Sequence, residues 1–311
     1  NIMADEAEKQ VEAALVAWVR QAAPYIHSFR GRTFVIAFGG EVLGTDKAQA
    51  LAQDFNLLAS LGIRLVLVHG ARPQIDAEMQ RRGLPVSFHD GLRITDAAAL
   101  ECVKSAMGVA RIEIEALLSQ GLPNTPMAGA WMRITGGNFI TAKPVGVLDG
   151  VDHLYTGAVR KVNAEEITAD LDQQNVVLIS PLGVSPSGEI FNLATEEVAE
   201  AVAIALQADK LIFLCDAPGV VDRKGLLLES VTADEAEALL ARSIPQAPEI
   251  KRVLVEAVRA CHAGVERVHF LDRMADGAML MEFFTRAGVG TMLARSGLVS
   301  LREATVDDVG A

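Results

Sequence analysis

Two glycine turns hold the chemistry this chain could perform. The first ends the apolar run Phe34-Val35-Ile36-Ala37-Phe38-Gly39-Gly40, and the second ends Ile63-Arg64-Leu65-Val66-Leu67-Val68-His69-Gly70. An apolar run that stops at glycine reads as a buried parallel strand whose C-terminal end opens a crevice lined by backbone N–H groups. Such groups suit phosphate. Phosphoryl transfer, however, is mostly positioning and charge stabilisation, and it needs cations on the transferring oxygens. The first strand carries Ala37 and no lysine. The expectation is a kinase-like scaffold whose crevice has lost its positive side chains and serves recognition instead.

The elements around the turns must place them together. A helical stretch from Lys47 to Leu61 lies between the two strands, and a right-handed strand–helix–strand unit puts both turns on one sheet edge. Upstream, Val11, Leu15, Trp18, Val19 and Ala22 recur at helical spacing, giving an amphipathic N-terminal helix within residues 1–30 that Pro24 should kink or end near Tyr25. Its stripe either packs on its own domain or joins subunits. Pro73 suits a helix start, with Asp76, Glu78, Arg81 and Arg82 read as a solvated face, and Thr95 or Asp96 caps a helix from Ala97 to about Leu118. From Met127 to Val162, short alternating runs and turns such as Asp149-Gly150 predict β-hairpins over the sheet edge, as a lid or as an embellishment.

Beyond Val162 helices are expected at 164–173, 195–206, 233–241, 249–263 and 275–286, with strands at 176–180, 210–215, 267–271 and 290–293. Such alternation builds an α/β, three-layer αβα domain on a mostly parallel central sheet with β-hairpin insertions. A mild boundary at Pro181 to Ser187 divides an acceptor lobe from a nucleotide-type lobe.

Composition narrows the function. Half of the 311 residues are apolar, so a large core is available, and a net charge of −12 with few aromatics argues against a nucleic-acid partner. Cys102, Cys215 and Cys261 lie far apart without metal-ligand spacing and read as reduced core residues of a cytoplasmic protein. No apolar stretch reaches the roughly 20 residues of a membrane helix, so no membrane partner is expected. Asn1-Ile2 reads as vector-derived, with Met3 the expected natural start.

Over nearly its whole length the chain resembles the amino-acid kinase family, whose carbamate kinase-like fold has glycine turns like Phe38-Gly39-Gly40 and Val68-His69-Gly70. Within it the chain is most similar to the kinase-like N-terminal domains of bacterial N-acetylglutamate synthases, through Arg30 to Ile36, Gly62 to Val66, His69 to Asp76 and Ser119 to Phe139. Leu301-Arg302-Glu303-Ala304-Thr305 resembles the first strand of an acetyltransferase domain. The resemblance therefore divides the chain into an N-terminal helix (1–30), a kinase-like domain (31–298) and the start of a truncated acetyltransferase domain (299–311).

Departures from an active kinase accompany the likeness. Ala37 stands where the kinase has its lysine, Gly70-Ala71-Arg72 replaces a triple-glycine turn, Glu196 replaces the organising aspartate, and no equivalent of the second lysine is found near Arg252-Val253. Arg93 and Asn192 match residues that hold N-acetylglutamate in the kinase. Ala37, Gly39, Gly40, Gly70, Arg93, Asn192 and Glu196 thus form a vestigial kinase site, while Asp216 to Val220 resembles its nucleotide loop. Arg286 to Gly290 has its glycines misplaced for a coenzyme A turn. The resemblance implies an L-arginine site at Tyr25, Lys210, His269, Glu282, Gly288 and Gly290, with Glu282 on the guanidinium and Lys210 on the ligand carboxylate. It also implies a homo-oligomer, a hexamer, assembled through the N-terminal helices. No cofactor or metal is expected in this segment, acetyl-CoA being the substrate of the missing domain. An active N-acetylglutamate kinase and a purely structural oligomerisation module are the alternatives.

Overall fold

A computed structural model describes residues 2–121, 123–286 and 288–296, the side chains of 2–8 excepted. The expected acetyltransferase start at 299–311 lies outside the described residues. The first half comprises α1 (Ile2–Phe29), β1 (Thr33–Phe38), α2 (Asp46–Ser60), β2 (Arg64–His69), α3 (Arg72–Arg81), β3 (Phe88–His89), β4 (Leu92–Arg93) and α4 (Ala97–Leu118). The hairpin region follows as β5 (Ile134–Thr135), β6 (Ile140–Pro144), β7 (Val147–Leu148), β8 (Val151–Asp152) and β9 (Gly157–Val162). Next come α5 (Ala164–Asp172), β10 (Val176–Ile179), β11 (Leu182–Val184), β12 (Ile190–Asn192), α6 (Thr195–Leu206) and β13 (Lys210–Cys215). The chain continues with β14 (Ser230–Thr232), α7 (Ala233–Ala241), α8 (Pro248–His262), β15 (Arg267–Asp272), α9 (Ala278–Phe284) and β16 (Thr291–Ala294).

One eight-stranded sheet, ordered β14-β16-β15-β13-β1-β2-β10-β5, runs through both expected lobes. β1 sits at its centre, parallel to β13 on one side and β2 on the other. Alternate residues of β1 serve opposite faces: Val35 and Ala37 join the core under α5 to α8, while Phe34, Ile36 and Phe38 join the core under α1, α2 and α9. A strand buried on both sides must be apolar throughout, which is why β1 shows no polar alternation. Each large side chain so buried contributes about 1.5–3 kcal/mol.

Several elements differ from expectation for visible reasons. Pro24 lies inside α1, which runs on to Phe29 because Tyr25, Ile26 and Phe29 pack on the core beyond it. Ala22 is buried, whereas Val11, Leu15 and Val19 are 69%, 60% and 50% exposed, so among the described residues most of the α1 stripe has no cover. The last helix is shorter than expected, since the Asp272 carboxylate caps a turn at Met274 and Gly277 adopts φ +68°. In the hairpin region, β6 and β9 pair antiparallel in a four-stranded sheet with β11 and β12, but β5 joins the main sheet beside β10.

Candidate functional site

A cavity of about 670 Å³ opens at the C-terminal ends of β1, β2 and β13, lined by Ala37, Gly39, Gly70, Arg93, Asn192 and Glu196 among others. The two glycine turns meet there: Gly70 N–H donates to Phe38 O at 2.7 Å. His69 is fully buried beneath them, its Nδ1–H on Gly70 O at 3.2 Å and its Nε2 on the Ser180 hydroxyl at 2.7 Å. Burial pushes this imidazole down to about 4, so it stays neutral and serves as a brace for the turn.

The expectation of a crevice without positive side chains is wrong. Arg72, Arg93, Arg252 and Arg273 all line the cavity, although no described lining residue is a lysine. Three of these guanidiniums face carboxylates, and Arg72 stacks on a ring. Arg273 is held by Glu249 at 2.6 Å and reaches Glu41 at 3.6 Å. Arg252, near which no equivalent of the second lysine was found, faces Glu196 at 3.9 Å. Arg93 pairs with Asp76, which therefore is not merely part of a solvated face, and Arg72 and Arg93 both stack on the Phe88 ring, at 4.4 and 4.7 Å. Asn192 donates to Thr95 Oγ1 at 3.1 Å.

The first glycine turn is covered by side chains of the chain itself. A Cβ placed on Gly39 would lie 1.8 Å from the Glu41 carboxylate, so that carboxylate rests directly on the first glycine turn. Gly40 lies outside the cavity lining, covered by Gln74, whose Nε2–H donates to Gly40 O at 2.7 Å. Six carboxylates face four guanidiniums around the cavity, an excess that opposes a polyphosphate. Glu41, Gln74 and Arg273 were not picked out from sequence. A carboxylate immediately after the glycine pair, and an arginine just past the end of strand 267–272, were the available signals.

The second set of expected residues lies at the other end of β13, where β13, β15, α9 and the 288–290 turn converge. Lys210 Nζ donates to His269 Nε2 at 3.0 Å, and His269 Nδ1–H donates to Glu282 Oε1 at 2.7 Å. The other Glu282 oxygen accepts from Val289 N–H at 2.8 Å and Gly290 N–H at 3.2 Å. Lys210 and His269 are 5% and 3% exposed, so this is a buried relay from an ammonium through a neutral imidazole to a carboxylate. Burial lowers Lys210 to about 8 and His269 to about 4; burial would raise Glu282, but the His269 and backbone N–H groups outweigh it and hold that carboxyl at about 2.

Three rings cage the ammonium: Phe29, Phe34 and Phe283 have centroids 5.4, 5.8 and 5.6 Å from Lys210 Nζ. Tyr25 stands one ring further out, 6.3 Å from Phe29, and so joins the cluster through aromatic contact. The glycines are dictated by space. Gly288 has φ +61°, and a Cβ on Gly290 would lie 2.1 Å from Phe270 O. The structure thus brings Lys210, His269, Glu282, Gly288 and Gly290 together, and both Glu282 oxygens are engaged within the chain.

Among the described residues, two groups are spaced for a metal ion: His89, Asp90 and Asp149, and the exposed Asp234, Glu237 and His262. Neither lies at the glycine turns, though Asp90 reaches the cavity rim. No described helix is long and apolar enough to cross a membrane.

Comparison with known proteins agrees with this architecture. The model of the Amino acid kinase family matches residues 32–272. An amino-acid acetyltransferase of Ralstonia nicotianae is 48% identical over 95% of the chain, which spans 65% of that relative's length; one of Ectopseudomonas mendocina is also 48% identical, with 68% of its length spanned. Among solved structures, N-acetylglutamate synthase from Neisseria gonorrhoeae complexed with coenzyme A and L-arginine superposes with TM-score 0.85 at 39% identity, covering 94% of this chain and 68% of that one. Carbamate kinase from Giardia lamblia bound to AMP-PNP shares the fold, with TM-score 0.65 at 15% identity over 86% of this chain and 99% of that one. The chain belongs to the amino acid kinase family, in the group whose relatives carry the name amino-acid acetyltransferase.

Proposed function

We propose that this chain is the regulatory part of an N-acetylglutamate synthase, a protein that transfers an acetyl group from acetyl-CoA to L-glutamate. In this reading residues 31–298 carry no phosphotransferase chemistry, and acetyl transfer belongs to a domain beginning near residue 299. The effector is L-arginine, bound at the relay of Lys210, His269 and Glu282 with the turn of Gly288 and Gly290, and with Tyr25 at its outer edge. One observation carries the proposal: a buried ammonium, imidazole and carboxylate meet a glycine turn where α1 and α9 converge, in a chain similar to a synthase solved with L-arginine.

The chemistry of the relay fits the ligand. A guanidinium needs a carboxylate in a fork, and Glu282 supplies one once it exchanges the N–H groups of His269, Val289 and Gly290 for those of the ligand. Lys210 then takes the ligand carboxylate, and the freed turn offers carbonyls to its ammonium. Because binding requires the 288–290 turn to give up its carboxylate, arginine favours a second arrangement of α9 and that turn, which is the differential affinity a regulatory site needs. The exposed α1 stripe at Val11, Leu15 and Val19 would be covered by other copies of the chain in a hexamer. In this reading the protein acts in the cytoplasm.

Phosphoryl transfer is disfavoured by the Glu41 carboxylate on Gly39 and by Ala37, which leaves no ammonium on the first strand. A thermal-shift titration tests the reading. L-arginine should raise the melting temperature, whereas L-citrulline, which lacks the charge, should not; equal shifts with both would reject a site built on Glu282.

A further inference from the structure

The turns of two hairpins meet at the mouth of the cavity. β3 pairs with β4 around Asp90-Gly91, and β7 pairs with β8 around Asp149-Gly150. All four turn residues have positive φ, 48° and 78° in the first and 49° and 79° in the second, as two-residue hairpin turns require. Turn geometry therefore explains an aspartate followed by glycine at each tip. It does not explain what surrounds them.

His89, Asp90 and Asp149 bring one ligand atom each to within 4.8 Å of one another. The Nδ1 of His89 is buried without a hydrogen-bond partner. Beside it His153 is fully buried, with Nδ1 on Val151 O at 3.1 Å and Nε2 without a partner. The two imidazoles meet at 63° with centroids 5.5 Å apart. Two imidazoles bound to one tetrahedral ion, with metal–nitrogen bonds of about 2.0–2.1 Å, would bring their rings to about 5 Å. Two buried imidazole nitrogens without partners lie in adjacent rings, and His89 is grouped with the exposed carboxylates of Asp90 and Asp149; a bound cation would satisfy what the protein leaves unpaired.

The scaffold keeps the tips in place. Tyr155 N–H donates to Thr95 O at 2.8 Å, Thr95 and Thr156 hydroxyls meet at 2.8 Å, and His153 N–H donates to Gly146 O at 3.0 Å. The first two bonds tie the segment after β8 to the segment after β4 and the third closes the base of the second hairpin, so the tips are held near each other without a metal.

We propose that the two tips form a binding site for a divalent cation of the zinc class, ligated by His89, Asp90 and Asp149, with His153 as fourth ligand once the ion draws the two rings together. Imidazole donors favour zinc, cobalt or nickel over magnesium and calcium, which prefer all-oxygen sets. Bound there, the ion clips one hairpin to the other and stiffens the rim formed by Asp90 and Gly91.

The test uses the chain freed of metal by a chelator and titrated with Zn2+ in a calorimeter, with Co2+ as the spectroscopic probe. One Zn2+ per chain should bind, Co2+ should show the intense visible bands of a tetrahedral site, and Mg2+ should not compete. Asp149→Asn preserves the turn, because Asn-Gly suits the same hairpin geometry, yet it should weaken Zn2+ binding about 10-fold or more, and His89→Ala at least as much. Amide exchange at residues 88–93 and 147–153 should slow with Zn2+. The proposal fails if Zn2+ gives no saturable heat, if Mg2+ competes equally, or if His262→Ala removes the binding while Asp149→Asn leaves it intact.

Discussion

Replacing Glu282 by alanine removes the acceptor of three hydrogen bonds, from His269 Nδ1–H and from the N–H groups of Val289 and Gly290. It also leaves the Lys210 ammonium, 5% exposed, without the carboxylate that balances it through His269. Breaking a buried charge pair on one side costs about 3–5 kcal/mol, because the surviving charge stays buried and uncompensated. Spread over a domain this large, that is a fall in Tm of roughly 5–8 °C. Lys210 responds by losing its proton more readily than at about 8, which returns part of the loss at alkaline pH. The double variant Lys210→Met with Glu282→Ala should therefore be more stable than the sum of the two single losses implies, with a coupling of about 1–3 kcal/mol. Urea unfolding monitored by circular dichroism measures all three variants. If Glu282→Ala loses less than about 1 kcal/mol, or if the two changes simply add, then the relay is not an energetic unit and its geometry is incidental.

Three further outcomes follow from other parts of the molecule. Gly290→Ala places a Cβ 2.1 Å from Phe270 O and should destabilise the chain by about 1–3 kcal/mol, read as a lower urea midpoint, whereas Gly188→Ala, with open space around it, should lose only the smaller strain of a positive φ. His69 titrates at about 4 in the folded chain against 6.5 unfolded; the unfolded state thus binds more protons between those values, and stability, complete above 6.5, falls as pH drops toward 4 by up to about 3 kcal/mol from this group. Asp54, raised by burial and by Asp276 to about 6, acts with the opposite sign, so the check is that His69→Gln flattens the acid limb of stability against pH measured by urea unfolding. Leu15→Glu with Val19→Glu, both on the exposed stripe of α1, should lower the mass seen by light scattering without changing the circular dichroism of the domain.

The fold was legible because its signals are strong and local. β1, β2 and β13 are continuous apolar runs, Asp96 caps α4 by accepting from Ala99 N–H, and Thr195–Leu206 and Lys210–Cys215 fall where periodicity places them. What misled was the crevice. The missing lysine at Ala37 is a local fact, but the arginines that line the cavity come from α3, β4, α8 and the residue after β15, brought together only by the sheet order. Reading one strand could not reveal that Glu41 and Gln74 close over its glycines. The relay is different again. Lys210, His269 and Glu282 came from resemblance to a family, and nothing in their spacing announces that one imidazole bridges the other two, or that Phe29, Phe34 and Phe283 enclose the ammonium.

Calorimetric titration of the chain with L-arginine, repeated on Glu282→Gln, bears most directly on the claim that this relay is an effector site. Saturable heat with one arginine per chain is expected, weakened about 30-fold or more in Glu282→Gln, since the guanidinium loses its charged partner while the amide still fills the space. An unchanged isotherm in Glu282→Gln, or no heat from the unaltered chain, would contradict it.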